Sequence, residues 1–215
     1  MGLAASDSII DANAGSLNIT ADNLSLRADG GLSGGRASGN ANDAANVHAI
    51  EISVDTLAAE SDSGIYLSES DGLTVTTVAA VTVNLGSAIR ANFNSTTASV
   101  ARSRVASSLE DLSSTTDGPI KLVSLAGTLT IDGGAGGPGV SAGGSGDVLL
   151  EARGATSDVV INADVVSGTG NVTLDADNDL LVNASVSTGG FGTLYLVSGN
   201  SATIDSALTT DSGDI

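Results

Sequence analysis

The chain of 215 residues contains no cysteine and no tryptophan, and only two tyrosines and two phenylalanines. Without cysteine there is no disulfide framework and no thiolate metal site. A globular core of this size leans on aromatic side chains. Aromatics at 2% therefore point to a narrow interior filled by Val, Ile, Leu, Ala and Ser. Seven Lys and Arg stand against 25 Asp and Glu, a net charge of −18. Such a chain has no basic patch with which to displace counterions from a phosphate backbone, which argues against nucleic acid as a partner. No apolar run reaches the ~18 residues of a membrane span, so insertion into a membrane is not expected.

Glycine and aspartate are plentiful. There are 28 glycines, and twenty of the acids are Asp, the turn former, against five Glu. A hydrophobic content of 41% argues against disorder. The stretch from Gly146 to Ile215 shows how these residues are used. It reads GDVLLEARGATSDVVINADVVSGT, then GNVTLDADNDLLVNASVSTGGF, then GTLYLVSGNSATIDSALTTDS, then GDI. Each copy opens on a small turn, runs through an alternating strand and a polar corner, and ends in a second strand. Val148 to Val172 is 24 residues, Val172 to Leu194 is 22 and Leu194 to Ile215 is 21. A period in the twenties with β-type alternation predicts stacked coils of a solenoid.

Alternation also predicts burial. Leu17, Ile65, Ile120, Val148, Val172 and Leu194 are expected in one interior column, with Ile19, Leu67, Leu122, Leu150, Leu174 and Leu196 in the next. Asn162, Asn183 and Asp205 align one coil apart. They either form a hydrogen-bonded ladder along the axis or fill turns. About seven to nine coils are expected, a stack of roughly 35–45 Å at ~4.8 Å per coil.

Along the chain, residues 7–14 resemble a second strand without a first, and 15–31 read as a full coil. Residues 33–46 and 133–146 are Gly-rich insertions by composition. Residues 90–115 break the pattern. Val105, Leu109 and Leu112 fall at helical spacing, which predicts a short amphipathic helix lying on the solenoid. Arg90, Phe93, Arg102 and Arg104 collect there, a candidate contact surface or simply a shield for the wall. The chain begins part-way through a coil and stops at GDI. It is accordingly read as one β-helix domain over 1–215, cut from a longer repeat protein.

Coils of this length, with Gly/Asp/Asn corners, Val/Leu/Ile ladders and few aromatics, resemble the haemagglutinin-type parallel β-helices. These form the shafts of large bacterial surface adhesins and secreted passengers. The resemblance implies a right-handed helix, a cell-surface or extracellular location in a Gram-negative bacterium, and a structural or adhesive role. Handedness also follows from the right-handed rule for parallel connections. Partners would be a cell-surface glycan, another surface protein, or neighbouring coils of the same long chain.

Other motifs are weaker. GLSGG around Ser33 matches a nucleophile elbow, but the helix it needs is missing and His48, the one histidine, would have to be the base. GAGGPG (134–139) matches a dinucleotide fingerprint without its helix. Asp175, Asp177 and Asp179 resemble the start of an EF-hand loop, with Leu180 and Val186 in place of the Gly and Glu it requires. They remain a candidate Ca²⁺ site, and with it a calcium-stabilised adhesin module; no other cofactor is expected. A polysaccharide-processing β-helix enzyme is the rival class. It would use paired carboxylates such as Glu69 with Asp71, or Glu151 with Asp175.

Overall fold

The computed structural model describes residues 1–28, 31–32, 49–94 and 96–215. The insertion expected at 33–46 lies outside the described residues, as do Ser33 and His48. The chain forms strands β1 (Gly2–Ala5), β2 (Ser8–Ile9), β3 (Ile19–Ala28), β4 (Gly31–Leu32) and β5 (Ile50–Ser61). A coil of β6 (Ile65–Glu69) and β7 (Leu73–Thr76) follows, then an excursion of β8 (Val81–Ala91) and β9 (Thr97–Ala106), then β10 (Leu112–Ser114). Four regular coils complete it. They are β11 (Ile120–Ser124), β12 (Leu129–Gly133), β13 (Val140–Ala142); β14 (Val148–Ala152), β15 (Val159–Ile161), β16 (Val165–Ser167); β17 (Val172–Ala176), β18 (Leu180–Val182), β19 (Val186–Thr188); and β20 (Leu194–Ser198), β21 (Ala202–Ile204), β22 (Leu208–Thr210).

Outside the β8–β9 excursion each strand pairs in parallel with its counterpart one coil away, so three walls run along the axis. The first is β6, β11, β14, β17 and β20. The second is β7, β12, β15, β18 and β21. The third is β10, β13, β16, β19 and β22. This is a parallel β-helix, all-β, with no helix among the described residues. Below β6 the long strand β5 serves all three walls in one piece. Ile50 lies against Leu67, Leu57 against Val75, and Ala59 against Leu112. β3 repeats this one coil further down, with β1 beneath its end.

The interior is built from the alternate positions. Ile65, Leu67, Ile120, Leu122, Leu150, Val172 and Leu174 are fully buried, and Val148 and Leu194 nearly so. Leu129, Ile131, Val159, Ile161, Leu180 and Val182 line the second wall. Every coil thus contributes short aliphatic side chains from three directions, and no aromatic ring is needed.

The expected columns hold from Ile65 upward and fail at their first members. Leu17 is exposed, and Ile19 pairs with Ile52, which pairs with Glu69. The residues that continue the Ile65 column downward are Leu32 and then Ile9. In the lowest coils the first wall is assembled from two separate pieces, β2 with the start of β3 and β4 with the start of β5, so counting along one continuous strand misplaces the register. For the same reason 7–14 is not a second strand, since β2 opens the first wall.

Two expected insertions also change. The stretch 133–146 is not an excursion. Gly133 ends β12, and β13 takes its place on the third wall with Val140 fully buried. The 90–115 segment is not a helix. Residues 81–106 form an antiparallel hairpin, and 112–114 are already back in the wall. Thr and Val are poor helix formers and good strand formers. The helical spacing is a coincidence of three roles. Val105 lies within β9 opposite Thr82, Leu109 bridges Val78 at the hairpin base, and Leu112 is core.

Glycine marks the corner between the third and first walls. Gly118, Gly146, Gly170 and Gly192 stack so closely that a Cβ on Gly146 or Gly170 would come within 2.4 Å of the carbonyl oxygen below, and one on Gly192 within 2.3 Å. Ser167 and Thr188 line the same corner, their hydroxyls donating to the carbonyls of Gly146 and Gly170. Gly170→Ala should therefore force adjacent coils apart, costing on the order of 2 kcal/mol or more in chemical denaturation. Leu174→Ala should cost about 2–5 kcal/mol, and Leu174→Asp more because it buries a charge. At the neighbouring outward position, Thr173→Asp should stay within about 1 kcal/mol. Equal losses at 173 and 174 would mean a register off by one.

Candidate functional site

Most of the described acidic corner residues act on the backbone. Asp158 accepts hydrogen bonds from the Asn178 side chain (2.7 Å) and the Asp179 amide (3.0 Å). Asp179 does the same one coil on, for the Asn200 side chain (2.8 Å) and the Ser201 amide (3.0 Å). Asp147 accepts from the Asn171 amide at 2.7 Å, and Asn171 from the Thr193 amide at 3.0 Å. Asp164 accepts from the Ser185 amide. A tight corner turns backbone N–H groups away from the strand ladder, and an Asx side chain from the coil below supplies the acceptor. The Asn ladder forms between Asn162 and Asn183 and runs down to Asp132, but it does not extend to Asp205. Asn183 donates to Asn162 at 2.8 Å and Asn162 to Asp132 at 2.7 Å.

This usage separates the three carboxylates of the candidate calcium site. Asp177 accepts from the Gly154 amide at 2.7 Å, Asp179 caps Ser201, and Asp175 stands on the outer side of the first wall paired with Glu151. Among the described residues, no group of three or more His, Cys, Asp or Glu is arranged to hold a metal ion. The spacing of two that suggested an EF-hand loop here carries the chain from a wall into a corner, so the carboxylates diverge.

The two carboxylate pairs of the enzyme reading also differ. Glu151 and Asp175 do stack on adjacent coils. Arg153 clamps Glu151 with Nε at 2.5 Å from Oε1 and Nη2 at 3.2 Å from Oε2. Burial, and then the Glu151 and Asp177 charges, push Asp175 up from its ordinary value; Arg153 opposes them. Glu69 points inward and is fully buried. Its carboxyl takes the Val54 amide at 3.1 and 3.3 Å and the Ser70 amide at 3.0 Å. The coil below rounds this corner with one residue fewer, since Ile52 faces Glu69 while Thr56 faces Thr74. The side chain fills the resulting mismatch. Burial first, then a carboxyl–carboxylate hydrogen bond with Asp71, raises Glu69 from 4.5 to about 8. Glu69 is thus protonated at neutral pH and acts as a corner brace inside the wall.

Of the two tyrosines, Tyr195 is exposed and Tyr66 is buried. Burial, followed by the Asp147 charge, raises the Tyr66 hydroxyl. Lys121 and Val123, on the same outer side, are buried as well. The GAGGPG segment forms the corner before β13 and is followed by that strand, not by a helix.

The hairpin is the element that leaves the wall. Its base is the Val78–Leu109 bridge, with amide–carbonyl bonds of 2.8 and 3.0 Å. Its turn is closed by Asn92 and Asn94. The Asn92 amide donates to the Thr96 carbonyl at 2.8 Å, and the Asn94 side chain accepts from the Thr96 hydroxyl at 2.6 Å. Phe93 sits in this turn wholly exposed, and Ile89, Val83 and Val105 are exposed along the arms. The register pairs Arg90 with Ala98 and Arg104 with Val83, so the four residues named as a contact surface do share one element. The cue that sequence reading passed over was the β-branched run VTV at 81–83 and the return run from Val100 to Val105, separated by the turn residues Asn92 and Asn94.

No protein-family model, curated protein or solved structure matches this chain.

Glu69 supplies a pH test. Its folded-state pKa lies above the unfolded one, so its stabilisation is complete below about 4.5 and is lost as pH rises towards 8. The stability of the wild type should fall across this window more steeply than that of Glu69→Gln, followed by urea denaturation at each pH. Parallel profiles would remove Glu69 as the titrating group.

Proposed function

We propose that this chain is a structural shaft segment of an exported bacterial surface protein, with the hairpin as its contact element. The observation that carries the reading is axial uniformity. From β6 to β22 every strand other than the hairpin pair β8 and β9 lies on its counterpart along one of the three walls. Acidic corners bond the coil above them, so much of the charge that would suggest a ligand site serves cohesion. Such a body transmits distance and resists bending, which suits a spacer. Function concentrates on segments that leave a scaffold, and here that segment is the hairpin with Phe93 at its turn. The surface location rests on the coil-pattern resemblance to haemagglutinin-type β-helices. A sugar-cleaving role is the alternative that Glu151 and Asp175, stacked on the outer wall, keep in view.

The absence of cysteine makes a direct test simple. Asp22→Cys and Asp205→Cys place two dyes six coils apart, roughly 30 Å at ~4.8 Å per coil. Single-molecule energy transfer should give one narrow distance that does not change with salt. A broad distribution would sink the shaft reading. Turnover of any polysaccharide that disappears in Glu151→Gln or Asp175→Asn would replace it with an enzyme.

A further inference from the structure

We propose that Asn94, in the turn of the hairpin, is an acceptor site for an N-linked sugar. Five Asn-x-Ser/Thr triplets occur in the chain, beginning at Asn18, Asn23, Asn94, Asn171 and Asn183. As sequence they are equal candidates. The fold makes them unequal. Transfer needs a carboxamide whose nitrogen is free, on a stretch of chain that can enter a transferase groove without being lifted out of a sheet.

Four triplets fail on one count or both. Asn171 donates its Nδ2 to Asp147 at 3.2 Å and accepts from the Thr193 hydroxyl at 2.8 Å, and the next residue, Val172, is fully buried. Asn183 donates to Asn162 at 2.8 Å, with Ala184 packed against the core. Asn18 donates to Asp11 at 2.9 Å and accepts from the Glu51 amide at 2.8 Å. Asn23 lies inside β3 opposite Thr56, and the two residues after it, Leu24 and Ser25, are buried. In these four the asparagine belongs to a wall or to the bonding that holds one coil on the next.

Asn94 is placed differently. It stands outside the three walls, exposed together with Thr96 and next to the wholly exposed Phe93. Its Oδ1 accepts from the Thr96 hydroxyl at 2.6 Å and the Thr96 amide at 3.2 Å. Its Nδ2 makes no hydrogen bond among the described residues. The turn is thus closed through the oxygen of the carboxamide, and the nitrogen is left for chemistry. A hydroxyl donating to Oδ1 stabilises the charge that builds on the oxygen as Nδ2 loses a proton. The Thr96 hydroxyl that shapes the turn therefore also prepares the nucleophile. Exposed loop tips are, in addition, where enzymes reach a folded chain.

The step is a substitution at an anomeric carbon. Nδ2 attacks the anomeric carbon of a sugar carried on a diphosphate. The carbon–oxygen bond to the diphosphate breaks, the diphosphate leaves with the bonding pair, and the amide proton passes to a base of the transferase. A nucleoside-diphosphate hexose and a polyprenyl-diphosphate oligosaccharide present the same activated carbon.

The test uses the whole folded chain. One sample is incubated with a soluble transferase specific for Asn-x-Ser/Thr and UDP-glucose, another with a membrane oligosaccharyltransferase and a polyprenyl-diphosphate oligosaccharide. Cleavage after Arg90 and Arg102 releases Asn94 in a peptide that holds no other triplet, so mass spectrometry reads its occupancy directly. At least one donor should modify Asn94 and leave the other four sites bare, and which donor succeeds identifies the source of the sugar. Thr96→Ala should slow transfer about tenfold, the worth of one hydrogen bond in the transition state. Thr96→Ser should retain it, and Asn94→Gln should abolish it. Circular dichroism melts should be the same for all three variants, since the turn touches no core column. The proposal is overturned if neither donor modifies Asn94, or if Asn171 and Asn183 are modified on the folded chain as fully as Asn94. None of these results alters the inter-dye distance of the shaft, so this inference and the proposed function fail separately.

Discussion

Everything in this molecule depends on one strand resting in register on its counterpart one coil away. The parallel ladder fixes the height of each coil, and the height fixes which side chains meet. A Leu stands above a Val because their backbones are paired, and Val148, Val172 and Leu194 form a column for that reason alone. The corners are where the ladder is weakest, because a turning backbone points its amides away from their partners. There the acceptors come from Asp and Asn side chains of the neighbouring coil, and glycine lets the chain pass close enough to be stacked at all. The acidic composition is in this sense a product of geometry. It follows from the need for a short acceptor at each corner.

The arrangement also distributes stability in one dimension. A coil touches the coil above and the coil below, so each contributes its own share and a defect is felt chiefly by its neighbours. Glu69 shows how the fold copes with an imperfect match. Where two successive coils take a corner with different numbers of residues, an inward carboxyl reaches the amide that the ladder leaves over. It does so as the neutral acid, because burial outweighs the amide hydrogen bonds that would favour the charge.

The sequence made the regular part of the fold legible to the residue. From Ile65 upward the period, the alternation and the short turns all specify the same register, and Leu122, Leu150 and Leu174 stand where they are expected. Legibility ended where one coil is assembled from pieces distant in sequence. Nothing in the local pattern says that Ile9 and Leu32, and not Leu17, continue the Ile65 column, since that is decided by pairing across gaps. The hairpin was missed for a different reason. Residues 105, 109 and 112 mimic a helical stripe although they belong to a ribbon, a bridge and a wall. The spacing of the three aspartates did not bring them together, because spacing along a chain does not report direction. Asp175, Asp177 and Asp179 are close in sequence, yet two of them cap backbone amides of different coils and the third stands beside Glu151.

The point at which the hairpin departs has a consequence for how such a molecule can diverge. Between β7 and β10 the chain leaves the stack for more than thirty residues and rejoins it with Leu112 beside Ala59 and Val140, in the register a short corner would have given. The corner is a neutral splice point, because the walls are held by the coils on either side and not by the length of the connection. Contact surfaces can therefore be gained, exchanged or lost at corners without renegotiating the interior, and the scaffold and its decoration are free to change at different rates.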